Sequence, residues 1–121
     1  MSKRILVIED TEDNRQILRD LLTNAGFVYL EATDGAAGVA AASAEKPDLI
    51  LMDIQLPVID GYEATRRIKS DPALAHIPII AVTSYALSGD ESKAVAVGCN
   101  GYVAKPFSPR KLLALIREFL P

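Results

Sequence analysis

Three shortages bound this 121-residue chain before any motif is read. It has one cysteine, Cys99, so neither a disulfide framework nor a thiolate metal cluster can hold it together. That thiol reads as a small packed residue rather than a nucleophile. Positive charge is not in excess: 13 Lys and Arg stand against 16 Asp and Glu, a formal net charge of -3. A nucleic-acid binder needs a basic face to neutralise phosphates, so that class is excluded. Long hydrophobic runs are also missing. Met1-Ser2-Lys3-Arg4 leads into only four apolar residues before Glu9, too few for a signal peptide, and nothing approaches a membrane span. The chain reads as soluble and cytoplasmic. No repeat, low-complexity segment or linker interrupts it.

What is present is ample apolar material: 50% of the residues are hydrophobic. That is enough for one domain burying roughly two thirds of its unfolded surface without staples. Short apolar runs at Ile5 to Ile8, Val28 to Ala32, Leu49 to Met52 (stopped by Asp53), Ile77 to Val82 and Gly101 to Ala104 read as strands buried in a parallel sheet. Between them lie helical patterns. Residues 13 to 25 carry an apolar stripe of Ile17, Leu18, Leu21, Leu22 and Ala25, with Asp13 or Asn14 as cap and Gly26 as stop. Asp34 opens an alanine-rich helix through about Glu45, thin enough to lie close on the sheet, and Pro47 ends it. Asp60-Gly61 opens another through about Ser70, with Arg66, Arg67 and Lys69 facing water and Pro72 as stop. A fourth runs from about Ser88 to Val97 before Gly98. Ser108-Pro109 opens the last, whose Leu112, Leu113, Leu115, Ile116, Phe119 and Leu120 form a set wider than one packing stripe needs. Strand and helix alternate five times, which means βαβ units and helices on both faces of a parallel sheet.

In such a sheet all the carboxyl ends share one rim, where open α/β folds place their ligand sites. Four strands deliver polar groups there: Glu9 and Asp10, Asp53, Thr83, and Lys105. The remaining strand, Val28 to Ala32, brings nothing comparable, as expected of an edge. Like charges about 4 Å apart repel by on the order of 4 kcal/mol at an effective dielectric near 20, so such a crevice either protonates an acid or binds a cation. Hard carboxylate oxygens without His or Cys favour Mg²⁺. Asp10 and Asp53 would ligate it directly and Glu9 through water. The rest of the set fits phosphoryl transfer onto a side chain: Asp53 as nucleophile, Lys105 balancing charge, and the Thr83 hydroxyl bonding a phosphoryl oxygen. There is no Walker A loop and no G-x-G-x-x-G after the first strand, so the phosphate must come from outside.

Ile8-Glu9-Asp10, Met52-Asp53 with Leu56-Pro57 and Asp60-Gly61, Val82-Thr83-Ser84, and Lys105-Pro106 occur in an order and spacing that resemble the receiver domains of two-component response regulators, over the full chain. MDIQLP and Ala75-His76-Ile77-Pro78 are similar to stretches of DivK-type single-domain regulators and of receiver modules in hybrid kinases. The resemblance implies one flavodoxin-like doubly wound domain over residues 1–121, with no output domain, five helices and strand order 2-1-3-4-5. It implies a phosphoprotein switch rather than an enzyme, limited to its own phosphorylation and dephosphorylation. Asp53 would accept phosphate from a phosphohistidine of a histidine kinase or phosphotransfer protein. The Gln55 carbonyl would join Glu9, Asp10 and Asp53 around Mg²⁺, Thr83 and Lys105 would sense the phosphate, and the bond to Pro106 would be cis. Tyr102 would turn inward as Thr83 moves, altering the face of the fourth helix, fifth strand and last helix. That face would dock a downstream protein or a second copy, with no nucleic acid or membrane involved. Spacing alone has Tyr102 partly packed on the last helix.

Some positions depart from the commonest pattern: Ser84 stands where many relatives have alanine or glycine, and Ile59 where methionine is common. Neither removes a catalytic group. Gln55 and Tyr85 flank the expected phosphoryl position and would govern water attack. His76 precedes the fourth strand, at the rim opposite Asp53, and is out of place for a phosphate relay. Two rivals fail on particular residues. A haloacid-dehalogenase-type phosphatase needs a second acid two residues after its nucleophile, where this chain has Gln55. A flavodoxin-type binder needs a phosphate loop where it has Glu9-Asp10.

Overall fold

A computed structural model describes residues 2–83 and 90–121. Its elements alternate as the apolar runs predict: β1 (Arg4–Ile8), α1 (Glu12–Asn24), β2 (Val28–Ala32), α2 (Gly35–Glu45), β3 (Leu49–Asp53), α3 (Gly61–Ser70), β4 (Ile79–Thr83), α4 (Asp90–Val97), β5 (Gly101–Ala104) and α5 (Pro109–Phe119). The strands are parallel throughout and ordered β2-β1-β3-β4-β5, the doubly wound arrangement expected. The expected start of the fourth helix at Ser88 lies outside the described residues, as do Ser84 and Tyr85.

The continuous apolar runs become the central strands because both sheet faces are covered; every residue of β3 and β4 is buried. Side chains alternate between two cores. Ile5 and Val7 pack with Leu18 and Leu22 of α1 and with Leu112 and Ile116 of α5. Leu6 and Ile8 pack on the opposite face with Ala42 of α2, Ala64 and Ile68 of α3, and Ala94 of α4. Burying each such Leu or Ile contributes about 1.5–3 kcal/mol, which makes these cores the main source of stability. The alanine-rich α2 lies close on the sheet. A Cβ added at Gly38 would sit 2.6 Å from the Ile8 side chain, so any larger residue here would push Ile8 aside or lift the helix.

Helix ends follow their caps in most places. Asp34 accepts from Ala37 N, Asp60 from Glu63 N, and Ser108 from Lys111 N with Pro109 in the first turn. Four expectations need correction. Helix α1 starts at Glu12 with Thr11 as N-cap and no side-chain cap, so neither Asp13 nor Asn14 serves. The Glu9 carboxylate instead takes the Thr11 N–H from outside the helix, and Asn14 turns its amide towards Glu9. Ile17 is 54% exposed, because the inward stripe runs through Arg15, Leu18 and Leu22. Strand β4 begins at Ile79, not Ile77, since Ile77 N closes a turn onto Leu74 O and Pro78 has no N–H to give. Lys69 does not face water. Its Nζ donates to the carbonyls of Ala75 and Ile77 and to Asn100 Oδ1, tying α3 to the turn before β4 and to the start of β5.

Candidate functional site

The carboxyl ends of β1, β3, β4 and β5 bring the polar groups to one rim. Asp53, the last residue of β3, is buried at 5% exposure. Its Oδ1 accepts the Gln55 N–H at 3.1 Å and its Oδ2 lies 3.6 Å from Lys105 Nζ. Glu9 follows β1 and is buried at 2% exposure. Both its oxygens are engaged: Oε1 with Lys105 Nζ at 2.7 Å and Asn14 Nδ2 at 3.3 Å, Oε2 with Thr11 N at 3.0 Å. Lys105 therefore pairs with both carboxylates but rests closer to Glu9 than to Asp53. Asp10 is exposed, and ligand oxygens of Glu9, Asp10 and Asp53 lie within 4.8 Å of one another. Thr83, the last residue of β4, is buried, and its Oγ1 accepts Gln55 Nε2 at 3.0 Å.

Local structure explains the placement. Each acid stands where a buried strand stops and a loop can turn its side chain over the rim. After β3 the chain folds back so closely that a Cβ on Gly61 would lie 2.2 Å from the Asp53 carbonyl oxygen. The Gly61 N–H closes this turn on the Ile54 carbonyl. Within it Val58 adopts φ 73, a left-handed conformation that β-branched residues rarely take. The Lys105–Pro106 bond is cis.

Burial, followed by the charge of Glu9, pushes the Asp53 carboxyl up to about 7, against the pull of Lys105 and the Gln55 N–H. Burial acts upward on Glu9 too, but the Lys105 bond and the Thr11 N–H outweigh it and hold Glu9 below the usual carboxylate range. The pair thus separates into an ionised Glu9 with its lysine and an Asp53 that holds its proton readily. The donor chemistry fits a hard divalent cation: three carboxylates, with no imidazole or thiolate among them. A cation bound there would bring Asp53 back to its ionised form.

Tyr102 on β5 is half-buried; it packs on the core beneath α2, α3 and α4 and also borders a cleft lined by Lys111, Leu112 and Leu115 of the last helix. Cys99 is buried, with Sγ 3.8 Å from Thr65 Oγ1, and burial pushes its thiol up, as befits a packed residue. His76 is exposed ahead of β4, at the far rim. Two neighbours of the site escaped the sequence reading. Asn14 reaches Glu9, and Arg15, buried in α1, donates from Nη1 to the Glu9 carbonyl at 2.9 Å. Arg15 had a usable signal, because the period that buries Leu18 and Leu22 buries position 15 as well. Beside Lys105 opens a cleft of about 470 Å³ lined mainly by apolar groups, among them Ile17, Leu18, Pro106, Phe107 and Pro109.

Comparison with known proteins agrees with this architecture. A family model described as the response regulator receiver domain matches residues 5–117. The polar-differentiation response regulator DivK of Brucella anthropi is 40% identical over 120 residues, 99% of this chain and 98% of that one. The receiver domain of a Pseudomonas aeruginosa sensor histidine kinase, whose crystal structure has a magnesium ion coordinated in the active-site cleft, superposes with TM-score 0.92. It is 36% identical, with 99% of this chain and 98% of that one covered. The chemotaxis protein CheY4 of Vibrio cholerae gives TM-score 0.92 at 27% identity, covering 98% of this chain and 99% of that one.

Proposed function

The chain belongs to the response regulator receiver domain family, and from that premise we propose that it is a phospho-accepting switch of a two-component pathway, taking a phosphoryl group onto Asp53 from a phosphohistidine of a kinase or phosphotransfer protein. The observation that carries this reading is the convergence of Glu9, Asp10, Asp53 and Lys105 on one rim, with Thr83 linked to it through Gln55.

In the reaction a carboxylate oxygen of Asp53 attacks phosphorus, the new P–O bond forms as the P–N bond to the donor imidazole breaks, and the imidazole leaves with the electron pair. Only the ionised carboxylate attacks, so a carboxyl raised to about 7 must first lose its proton. Asp10, Asp53 and the Gln55 carbonyl would hold Mg²⁺ with Glu9 acting through water, and when bound the ion offsets the negative charge of the phosphoryl oxygens. Lys105 exchanges Glu9 for a phosphoryl oxygen, a short move given its present distances of 2.7 Å and 3.6 Å to the two carboxylates. Thr83 donates its hydroxyl to another. The donor's protein docks in the cleft beside Lys105, where Ile17 and Phe107 offer apolar contact next to the acceptor.

Phosphate then biases a two-state domain. As Thr83 is drawn to the phosphoryl group, Tyr102 turns inward and reshapes the α4-β5-α5 face for a downstream protein or a second copy. Moving the population from 1:99 to 99:1 takes about 5.5 kcal/mol, which several charge-assisted hydrogen bonds of about 1.5–3 kcal/mol each can supply. The half-exposed Leu113 and Leu115 on α5 support a docking role for this face. Incubation with Mg²⁺ and a small phosphodonor tests the chemistry: intact mass rises by one phosphate in the native chain and stays unchanged in Asp53→Asn. A gain kept by the mutant would remove Asp53 from the acceptor role, and one independent of Mg²⁺ would remove the metal from the reaction.

A further inference from the structure

We propose that Arg15 is a positioning residue for the metal-ligand pair: its guanidinium fixes the Glu9–Asp10 peptide and so aims the Asp10 carboxylate at Asp53. The inference rests on the metal-binding reading above. Asp10 is the exposed member of the cluster, and among the described residues no hydrogen bond or ion pair holds its carboxylate. Its direction comes from the main chain. Because the peptide unit is planar, fixing the Glu9 carbonyl fixes the Asp10 nitrogen and Cα with it. That carbonyl accepts Arg15 Nη1 at 2.9 Å, while the Glu9 N–H is held by the Ala32 carbonyl at 3.0 Å and the Glu9 carboxylate by Thr11 N at 3.0 Å.

Arg15 is anchored from behind. Nη2 meets Glu12 Oε2 at 2.6 Å and Nε faces Glu31 Oε2 on β2 at 3.6 Å, with the side chain only 10% exposed. A leucine here would complete the 15–18–22 stripe without burying a charge. The planar fork instead serves two acceptors at once, which an aliphatic residue or a point-like ammonium does not. It does so with its buried Nε left without a hydrogen bond, so the fork is set by the carbonyl and Glu12 rather than by an optimal pair with Glu31.

The test is Mg²⁺ affinity of the unphosphorylated chain, measured by calorimetry in native protein, Arg15→Leu, Arg15→Lys and Glu31→Gln. Ile68→Val, in the core of the opposite sheet face, serves as a destabilised control. Groups that orient metal ligands typically change affinity by about 10- to 100-fold, and a loss in that range is expected for Arg15→Leu. Arg15→Lys should recover part of it by donating to the carbonyl alone. Glu31→Gln should weaken binding by less than Arg15→Leu, and Ile68→Val should leave it unchanged. If Arg15→Leu does not fold, the lysine and Glu31→Gln variants decide, since native affinity in both overturns the proposal. Native affinity in Arg15→Leu, with a melting temperature lowered like that of the control, would reduce Arg15 to a helix-packing residue. No Mg²⁺ binding by the native chain would sink this inference together with the metal reading.

Discussion

Asp53 stands in surroundings that oppose its charge, and that opposition has a measurable consequence without metal. Its carboxyl is raised from the ordinary 3.8 to about 7, so between those values the folded chain keeps a proton that the unfolded chain releases. Stability from this group is therefore full below about pH 4 and is lost as pH rises through about 7. Glu9, lowered by its partners, works in the opposite sense, on the acid side of its ordinary 4.5. Asp53→Asn keeps an acceptor for the Gln55 N–H but carries no charge. Without Mg²⁺ it should melt several degrees above the native chain at about pH 8, with the margin shrinking towards about pH 5. Thermal unfolding at both values checks this; a margin independent of pH contradicts it. The strand-end acids, Thr83 and Lys105 were legible because a buried apolar run that stops at a polar residue marks a rim position. Lys69 was misread and Arg15 passed over, although the period of α1 marks position 15 as buried, because charged residues on a helix are read as facing water. Here a carbonyl and a carboxylate draw Arg15 inside, and two carbonyls with Asn100 draw in Lys69.

Elements were most readable where they carry their own punctuation. Asp34, Asp60 and Ser108 each cap the helix they introduce, and β2, β3 and β5 lie where their apolar runs place them. Helix α1 was misread at its start because Thr11 is its N-cap without a side-chain bond, its N–H being held by the Glu9 carboxylate, and a contact between neighbouring elements leaves no local pattern. The link from β3 to α3 folds back tightly on the strand that carries Asp53. At Gly61 a methyl group would press against the Asp53 carbonyl at 2.2 Å, so the loop must move to admit it. Gly61→Ala is expected to cost about 1–3 kcal/mol of stability, the usual range for overpacking. It should also slow Mg²⁺-dependent phosphorylation by shifting the main chain that carries the acceptor. Denaturant unfolding and the phosphorylation rate are read on the same sample. A variant as stable and as fast as the native chain would mean that the loop accommodates the methyl group freely.

For the molecule as a whole, alternation of strand and helix sufficed for a parallel, two-faced α/β domain. The order of the strands did not follow from alternation; it came with the family resemblance, and the structure has it. Among the described residues no helix is long and apolar enough to cross a membrane. The cleft beside Lys105 was invisible in the sequence because Ile17 looked like a core residue until the phase of α1 turned it outwards. If the cleft receives the donor's protein, Ile17→Asp should slow phosphoryl transfer from a phosphohistidine-bearing protein at least tenfold, about 1.4 kcal/mol. Phosphorylation by a small phosphodonor, which needs no docking, should stay at the native rate. Equal slowing of both would locate the defect in the fold rather than the interface.

Borohydride reduction converts an acyl phosphate into an alcohol at the modified position, and so reads out which residue receives the phosphoryl group. After Mg²⁺-dependent phosphorylation, reduction and proteolysis, peptide mass spectrometry should find homoserine in place of Asp53 and unaltered Glu9 and Asp10. A reduced residue at Glu9 or Asp10, or phosphorylated protein with no reducible acyl phosphate, would rule out Asp53 as the acceptor.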